Sequence, residues 1–284
     1  MNDALKNKIK GMIYGLVAGD CLGAYLEFTD KDNHEHITNY KSGGVHRLRA
    51  GDWTDDTAMA LAVMDSIIQN KGNVISDDIM NKWIDWYEQG KYSSNGICFD
   101  IGCGTRNALV NYFLHRDISQ SESKGNGSIM RLAPTVALDY VNGDWDCKNS
   151  LIVSNLTHDN KYVQDIVKTM CTVIFDHLEG VKTDIQSCYK SRKEASNSGL
   201  AGATLNSALW AFHSTNTFEE GLIEAVNLGG DSDSIGAVYG QIAGAYYGYE
   251  QIPNRWKNGI IDKIYIDKFA NNMIDVLEVM NDEK

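Results

Sequence analysis

Residues 11–27 read GMIYGLVAGDCLGAYLE, with glycine at 11, 15, 19 and 23 and an acid, Glu27, at the next four-residue step. On a helix, steps of four drift slowly around the axis, so these positions form one stripe without side chains. Residues 229–248, GGDSDSIGAVYGQIAGAYYG, carry a second row at Gly236, Gly240, Gly244 and Gly248. Each glycine weakens an isolated helix by about 1 kcal/mol against alanine, so eight in two rows call for a tertiary gain. Close helix–helix contact supplies it. The spacing predicts that the rows pack on each other, or each on another helix. If they meet antiparallel, Glu27 falls beside Asp231 and Asp233 at the entrance to the second helix.

The rest of the chain is helical in period as well. Ser76 opens a segment whose apolar residues Ile79, Met80, Trp83, Ile84 and Tyr87 follow the i, i+3, i+4 rule until Gly90 stops it. Val163, Ile166, Val167, Met170, Ile174 and Leu178 repeat the pattern up to Gly180, and Thr217 with Glu220 forms a capping box before another helix. No stretch alternates convincingly as a strand. About ten or more helices, with no solenoid period, predict an all-α, compact multi-helix globule. No Pro-rich or charge-block linker divides it, so residues 1–284 are expected to form a single domain. Three irregular stretches, 29–53, 118–128 and 189–199, are the loops in which function is expected.

Composition excludes several classes. Apolar residues make up 43% of 284 with only 2 prolines, which argues against disorder. The 26 basic and 38 acidic side chains leave a net charge of −12, which removes the positive field that nucleic acid or an anionic membrane needs. In the N-terminal segment Asp20 breaks the apolar run, so neither a signal peptide nor a membrane span is expected. The six cysteines lie far apart with no C-x-x-C pair, which predicts reduced thiols in a cytoplasmic protein. Cys98 and Cys103 have no second pair to complete a tetrahedral zinc. A monomer is expected.

Two helix entrances concentrate acids and hydroxyls: Thr54, Asp55, Asp56 and Thr57 in one, Asp231, Ser232, Asp233 and Ser234 in the other. Either set can cap a helix. Capping uses one or two such groups, whereas these entrances offer four carboxylates, with Glu27 a fifth. Brought together without a cation, the carboxylates would repel and titrate high. Oxygen ligands on short side chains suit a hard ion, Mg²⁺ or Mn²⁺, as a bridged pair. A calcium hand does not fit, because Ile235 and Ile242 stand where its loop needs oxygen ligands. Asp20, inside the first helix, is expected to be a buried, hydrogen-bonded acid. His34, His36 and His46, in an early loop with no partner motif, are expected to be solvated or structural.

The sequence resembles the ADP-ribosylglycohydrolases. The resemblance rests on GLVAGDCLGAYLEF, GDWTDDTAMAL, CFDIGCGTRNAL, KGNGSIMRLAP, the Thr157-His158 pair and NLGGDSDSIGAVYGQIAGAYYG, in order, between residues 11 and 248. It implies an all-helical fold and a two-metal centre, Mg²⁺ or Mn²⁺, that removes ADP-ribose from a modified protein.

Carried over residue by residue, the resemblance makes Thr54, Asp55, Asp56, Asp231, Asp233 and Ser234 the metal ligands. Ser234 stands where the family usually has threonine, which keeps the hydroxyl but frees its rotamer. Glu27 matches the acid assigned to proton transfer. Asp100 matches an acid near the scissile end in arginine-specific members, where a carboxylate pairs with a guanidinium. Gly125, Asn126, Gly127 and Ser128 would meet the pyrophosphate with backbone N–H groups and the Ser128 hydroxyl. His158, by default a surface histidine, becomes a ribose or phosphate contact. Two alternatives stay open: hydrolysis of O-linked ADP-ribose, on serine or a small ester, and a non-catalytic binding, immunity or structural protein on the same scaffold.

Overall fold

A computed structural model describes residues 1–118 and 121–282; residues 119 and 120 of the 118–128 stretch and the last two residues therefore lie outside the described residues. Twelve α-helices follow in order: α1 (Asp3–Gly23), α2 (Asp55–Gln69), α3 (Ser76–Gln89), α4 (Cys103–His115), α5 (Ala133–Asn142), α6 (Lys148–His158), α7 (Lys161–Leu178), α8 (Ala201–Ser214), α9 (Phe218–Val226), α10 (Ser232–Tyr247), α11 (Asn254–Gly259) and α12 (Lys263–Asp282). The described residues contain no strand, only the isolated pairings Gly43 with Leu48 and Gly125 with Leu200. The all-α expectation holds.

The two glycine rows do pack on each other. Gly11, Gly15 and Gly19 of α1 lie against Gly244, Gly240 and Gly236 of α10, and in each pair a Cβ would collide with the partner's backbone. The pairing is antiparallel, because the numbers rise on one helix as they fall on the other. Both helices are buried over most of their length. Backbones in such contact replace side-chain packing with dispersion between peptide units, which accounts for the tolerance of eight glycines.

The other helices wrap this pair and behave as their sequences direct. Helix α3 turns Ile79, Met80, Trp83 and Trp86 inward and ends at Gly90, whose φ of 68° is the left-handed stop that glycine adopts without strain. Helix α7 buries Val163, Val167, Met170, Ile174 and Leu178. In α9, Thr217 accepts from Glu220 N at 3.1 Å, while the Glu220 carboxylate reaches Asn216 N instead of closing the box on Thr217. No helix among the described residues is long and apolar enough to cross a membrane. All six cysteines are free thiols.

Candidate metal and substrate site

At the start of α2 the acids do not cap. Thr54 holds the N-cap position without a side-chain capping bond. The cap comes from α1: Asp20 accepts from Thr54 N at 2.9 Å, Thr57 N at 3.0 Å and Thr54 Oγ1 at 2.9 Å. Asp20 is fully buried, as expected of it, and burial raises its pKa to about 6. One carboxylate from a neighbouring helix thus satisfies the orphan amides and releases Asp55 and Asp56 for other work. At α10 too the acid in the cap position does not cap. Asp231 is its N-cap residue with no side-chain capping bond, and its Oδ2 accepts instead from Asn126 Nδ2 at 3.0 Å.

Both entrances are held in register by the α1–α10 crossing. Ser232 Oγ donates to Gly23 O at 2.8 Å, Phe28 N to Gly230 O at 2.7 Å and Gly230 N to Thr29 O at 2.8 Å. The pair Gly229 and Gly230, at φ 67° and 64°, makes the turn that only glycine enters freely. These bonds fix Glu27 beside the first turn of α10.

The oxygens then converge. Thr54 Oγ1 lies 3.3 Å from Asp233 Oδ2 and 3.4 Å from Asp56 Oδ2, and Ser234 Oγ lies 3.3 Å from Asp56 Oδ2. Carboxylate atoms of Asp55, Asp100 and Asp233 fall within 4.8 Å of one another. Asp55 and Asp231, 176 positions apart, line the same pocket of about 560 Å³. Burial, reinforced by neighbouring carboxylates, pushes Asp55, Asp56 and Asp233 well above the ordinary carboxylate range and Asp231 upward. Asp56 Oδ1 and Asp233 Oδ1 are buried with no hydrogen-bond partner. A buried acceptor without a donor is costly unless a cation meets it, so this donor set fits a hard divalent ion.

On one wall of the pocket stand Glu27 and Asp100, and between them His46. His46 Nε2 lies 2.8 Å from Glu27 Oε2 and 3.2 Å from Asp100 Oδ1. Sequence reasoning left His46 as solvated or structural. The structure places it in the site, because the chain doubles back at the Gly43–Leu48 pairing (2.8 and 2.9 Å) and presents residues 44–47 over the acids. His34 instead bonds Asn227 O at 3.1 Å, away from this pair. Glu27 is 5% exposed, and burial raises its pKa to about 8 against the lowering effect of His46. His46 rises to about 10 because both acids hydrogen-bond it. Asp100 has φ 61°, uncommon for a non-glycine residue.

The opposite wall is the glycine loop. Gly125 pairs with Leu200, and Asn126 N donates to Gly199 O at 2.9 Å. The Asn126 side chain bonds Asp231 and, at 3.0 Å, Thr204 Oγ1, so it braces α10 as well as lining the pocket. Ser128 does not reach the pocket: it is fully buried and its Oγ donates to Ser154 Oγ at 2.6 Å. After the loop the chain makes a single 3₁₀ turn, Ile129–Arg131, before α5. Gly125 and Gly127 do line the pocket, as does His158, which is 2% exposed rather than on the surface. Behind it sits Arg131, fully buried, with its guanidinium 4.3 Å from the Trp83 ring centroid.

The chain as a whole has recognisable relatives. A family model described as ADP-ribosylglycohydrolase matches residues 1–283. The ADP-ribosylarginine hydrolase Tri1 of Pseudomonas putida strain GB-1 is 33% identical over 95% of this chain and 78% of its own length. The ADP-ribosyl-[dinitrogen reductase] glycohydrolase of Rhodospirillum rubrum is 28% identical over 96% of both. Among solved structures, a chain titled ADP-ribosylglycohydrolase-related protein complex superposes with a TM-score of 0.84 at 32% identity, over 97% of this chain and all of its own. The protein belongs to the ADP-ribosylglycohydrolase family and is a glycohydrolase.

Proposed function

We propose that this enzyme hydrolyses the N-glycosidic bond between ADP-ribose and arginine in modified proteins, using a pair of Mg²⁺ or Mn²⁺ ions. The observation that carries the reading is the unpartnered Oδ1 atoms of Asp56 and Asp233, buried beside a pocket that also holds Glu27 and Asp100. Thr54, Asp55, Asp56, Asp231, Asp233 and Ser234 would hold the ions. Bound there, the ions supply charge stabilisation and orientation for the ribose hydroxyls.

The chain's own residues do the rest. Glu27, raised to about 8 by burial, keeps a proton near neutral pH and can deliver it to the departing nitrogen. Asp100, 3.2 Å from His46, would pair with the guanidinium as a charge-assisted acceptor. Gly125, Gly127 and His158 line the wall on which the diphosphate would rest. Holding the bond between these walls converts binding energy into orientation.

The test is a panel of ADP-ribosylated arginine, serine and ester substrates, with and without EDTA, read as free ADP-ribose. Release from arginine that stops with EDTA supports the reading. Asp100→Asn should reduce arginine turnover by about 100-fold, the scale of about 3 kcal/mol for a charged hydrogen bond, and leave O-linked turnover nearly unchanged. Equal loss on both would remove the acceptor assignment. Binding of ADP-ribose without release from any acceptor would make the protein a binder.

A further inference from the structure

His158 has a defined hydrogen-bond chain behind it. Arg131 Nη2 donates to Thr157 Oγ1 at 2.6 Å, and Thr157 Oγ1 lies 2.7 Å from His158 Nδ1. All three residues are at most 2% exposed. Arginine has no acceptor and stays protonated, so the direction of the first bond is fixed. The hydroxyl of Thr157 has one hydrogen to give. Among the described residues its bonds are to Arg131, a donor, and to His158. That hydrogen therefore goes to His158 Nδ1, which must be bare. A neutral imidazole with a bare Nδ1 carries its hydrogen on Nε2. Burial, with Arg131 beside it, pushes the His158 pKa down to about 3, so the ring is neutral across the working range.

Nε2 is the atom that faces the pocket. Methyl groups built on Gly104, Gly125 and Gly127 would lie 3.5, 3.6 and 3.4 Å from it, and the one on Gly127 would press to 3.0 Å on Cε1. The three glycines thus leave a channel to this nitrogen. No protein acceptor among the described residues takes its hydrogen, although the ring is 2% exposed. An N–H that opens on the pocket and has no protein partner is a donor available to a ligand.

We propose that Arg131 and Thr157 are positioning residues that lock His158 in the Nε2–H tautomer, so that it offers a neutral donor to an acceptor oxygen of the ADP-ribose moiety. Arg131 acts at two bonds' remove and Thr157 at one; neither lines the pocket. The ligand class rests on the function proposed above, but the tautomer does not.

The experiment is long-range ¹⁵N–¹H correlation on the full chain with labelled histidine. His158 is expected to show a protonated Nε2 and a bare Nδ1 in the wild type; a protonated Nδ1 overturns the relay. Adding ADP-ribose, inorganic pyrophosphate or ribose in separate samples is expected to shift the Nε2–H signal with ADP-ribose. The smaller probe that reproduces the shift identifies the phosphate or the sugar as acceptor. No shift on saturation with ADP-ribose overturns the donor role. Thr157→Val should mix the tautomers and raise KM about tenfold, as loss of one aligned hydrogen bond does, with kcat within twofold. Thr157→Ser should restore both. A valine variant with the wild-type tautomer and KM refutes the proposal. A wild type inactive on every acceptor but with the expected spectrum would refute only the function.

Discussion

Gly15→Ala probes the crossing on which the site is built. A Cβ there would lie 2.7 Å from Gly240 C and closer still to Gly240 O. Carbon contacts relax at about 3.5 Å, so the helices would have to separate by roughly 0.8 Å or more. Both obstacles are main-chain atoms of a buried helix, and no rotamer change relieves them. Overpacking of this kind costs about 1–3 kcal/mol, and the rigidity of the obstacle puts the substitution at the upper end. Alanine returns about 1 kcal/mol of helix propensity, which leaves a net loss of about 2 kcal/mol. For a chain of this size that is a fall in Tm of roughly 4–8 °C. Functional sites tolerate only about 0.5 Å of misplacement, so the same shift should weaken Mn²⁺ binding through Asp233. Differential scanning calorimetry and Mn²⁺ titration read the two effects. Gly102→Ala is the control for the calorimetry alone, because a Cβ at Gly102 meets nothing within 4 Å and its φ is −62°, although the residue lines the pocket. A Gly15→Ala protein as stable as the wild type would show that the glycine rows do not touch.

Two further predictions concern charge. Glu27, raised to about 8, and Asp55, Asp56 and Asp233, raised well above the carboxylate range, bind more protons folded than unfolded. The stability they contribute is full below about pH 4 and lost as pH rises through their folded values. His158 and His177, pushed down to about 3 and 4 by burial, act in the opposite sense below about pH 6.5 and fall silent above it. Between about pH 7 and 8.5 the metal-free protein should therefore lose Tm, and saturating Mg²⁺ should flatten the slope by the share of Asp55, Asp56 and Asp233, leaving the part that Glu27 and His46 contribute; a rising Tm in that window without metal contradicts the assignment. His46 lowers Glu27 by hydrogen bond and charge. In His46→Gln the limb of the kcat/KM profile that reports Glu27 should move to higher pH, and an unmoved limb would separate His46 from Glu27.

How much of this was legible in the sequence depended on whether the signal was local. The glycine rows were readable because their four-residue period is a property of one helix, and a close helix contact followed from the need to offset their helix-weakening cost; the partner of each row and the antiparallel sense appear only in the fold. Capping was ambiguous in the sequence because the true cap of α2, Asp20, lies 34 positions from Thr54 and is invisible until α1 and α2 are side by side. His46 carried no period and no motif; the only local hint was the pair Gly43-Gly44, at φ 122° and 67°, which turns the loop back on itself. Ser128 looked like a phosphate donor from its place in a glycine loop, but the 3₁₀ turn after it rotates the hydroxyl into the core. Spacing alone does not reveal such a rotation. Arg131, inside the block KGNGSIMRLAP, and Thr157, paired with His158, carried no role in the sequence, because each acts on a third residue.

The central claim is that the entrances of α2 and α10 hold divalent cations between them. Anomalous diffraction from crystals soaked in Mn²⁺ at neutral pH tests it directly. Two manganese peaks between Asp55 and Asp56 on one side and Asp231 and Asp233 on the other are expected. Empty density there at saturating Mn²⁺, or manganese bound only elsewhere on the surface, would contradict the account.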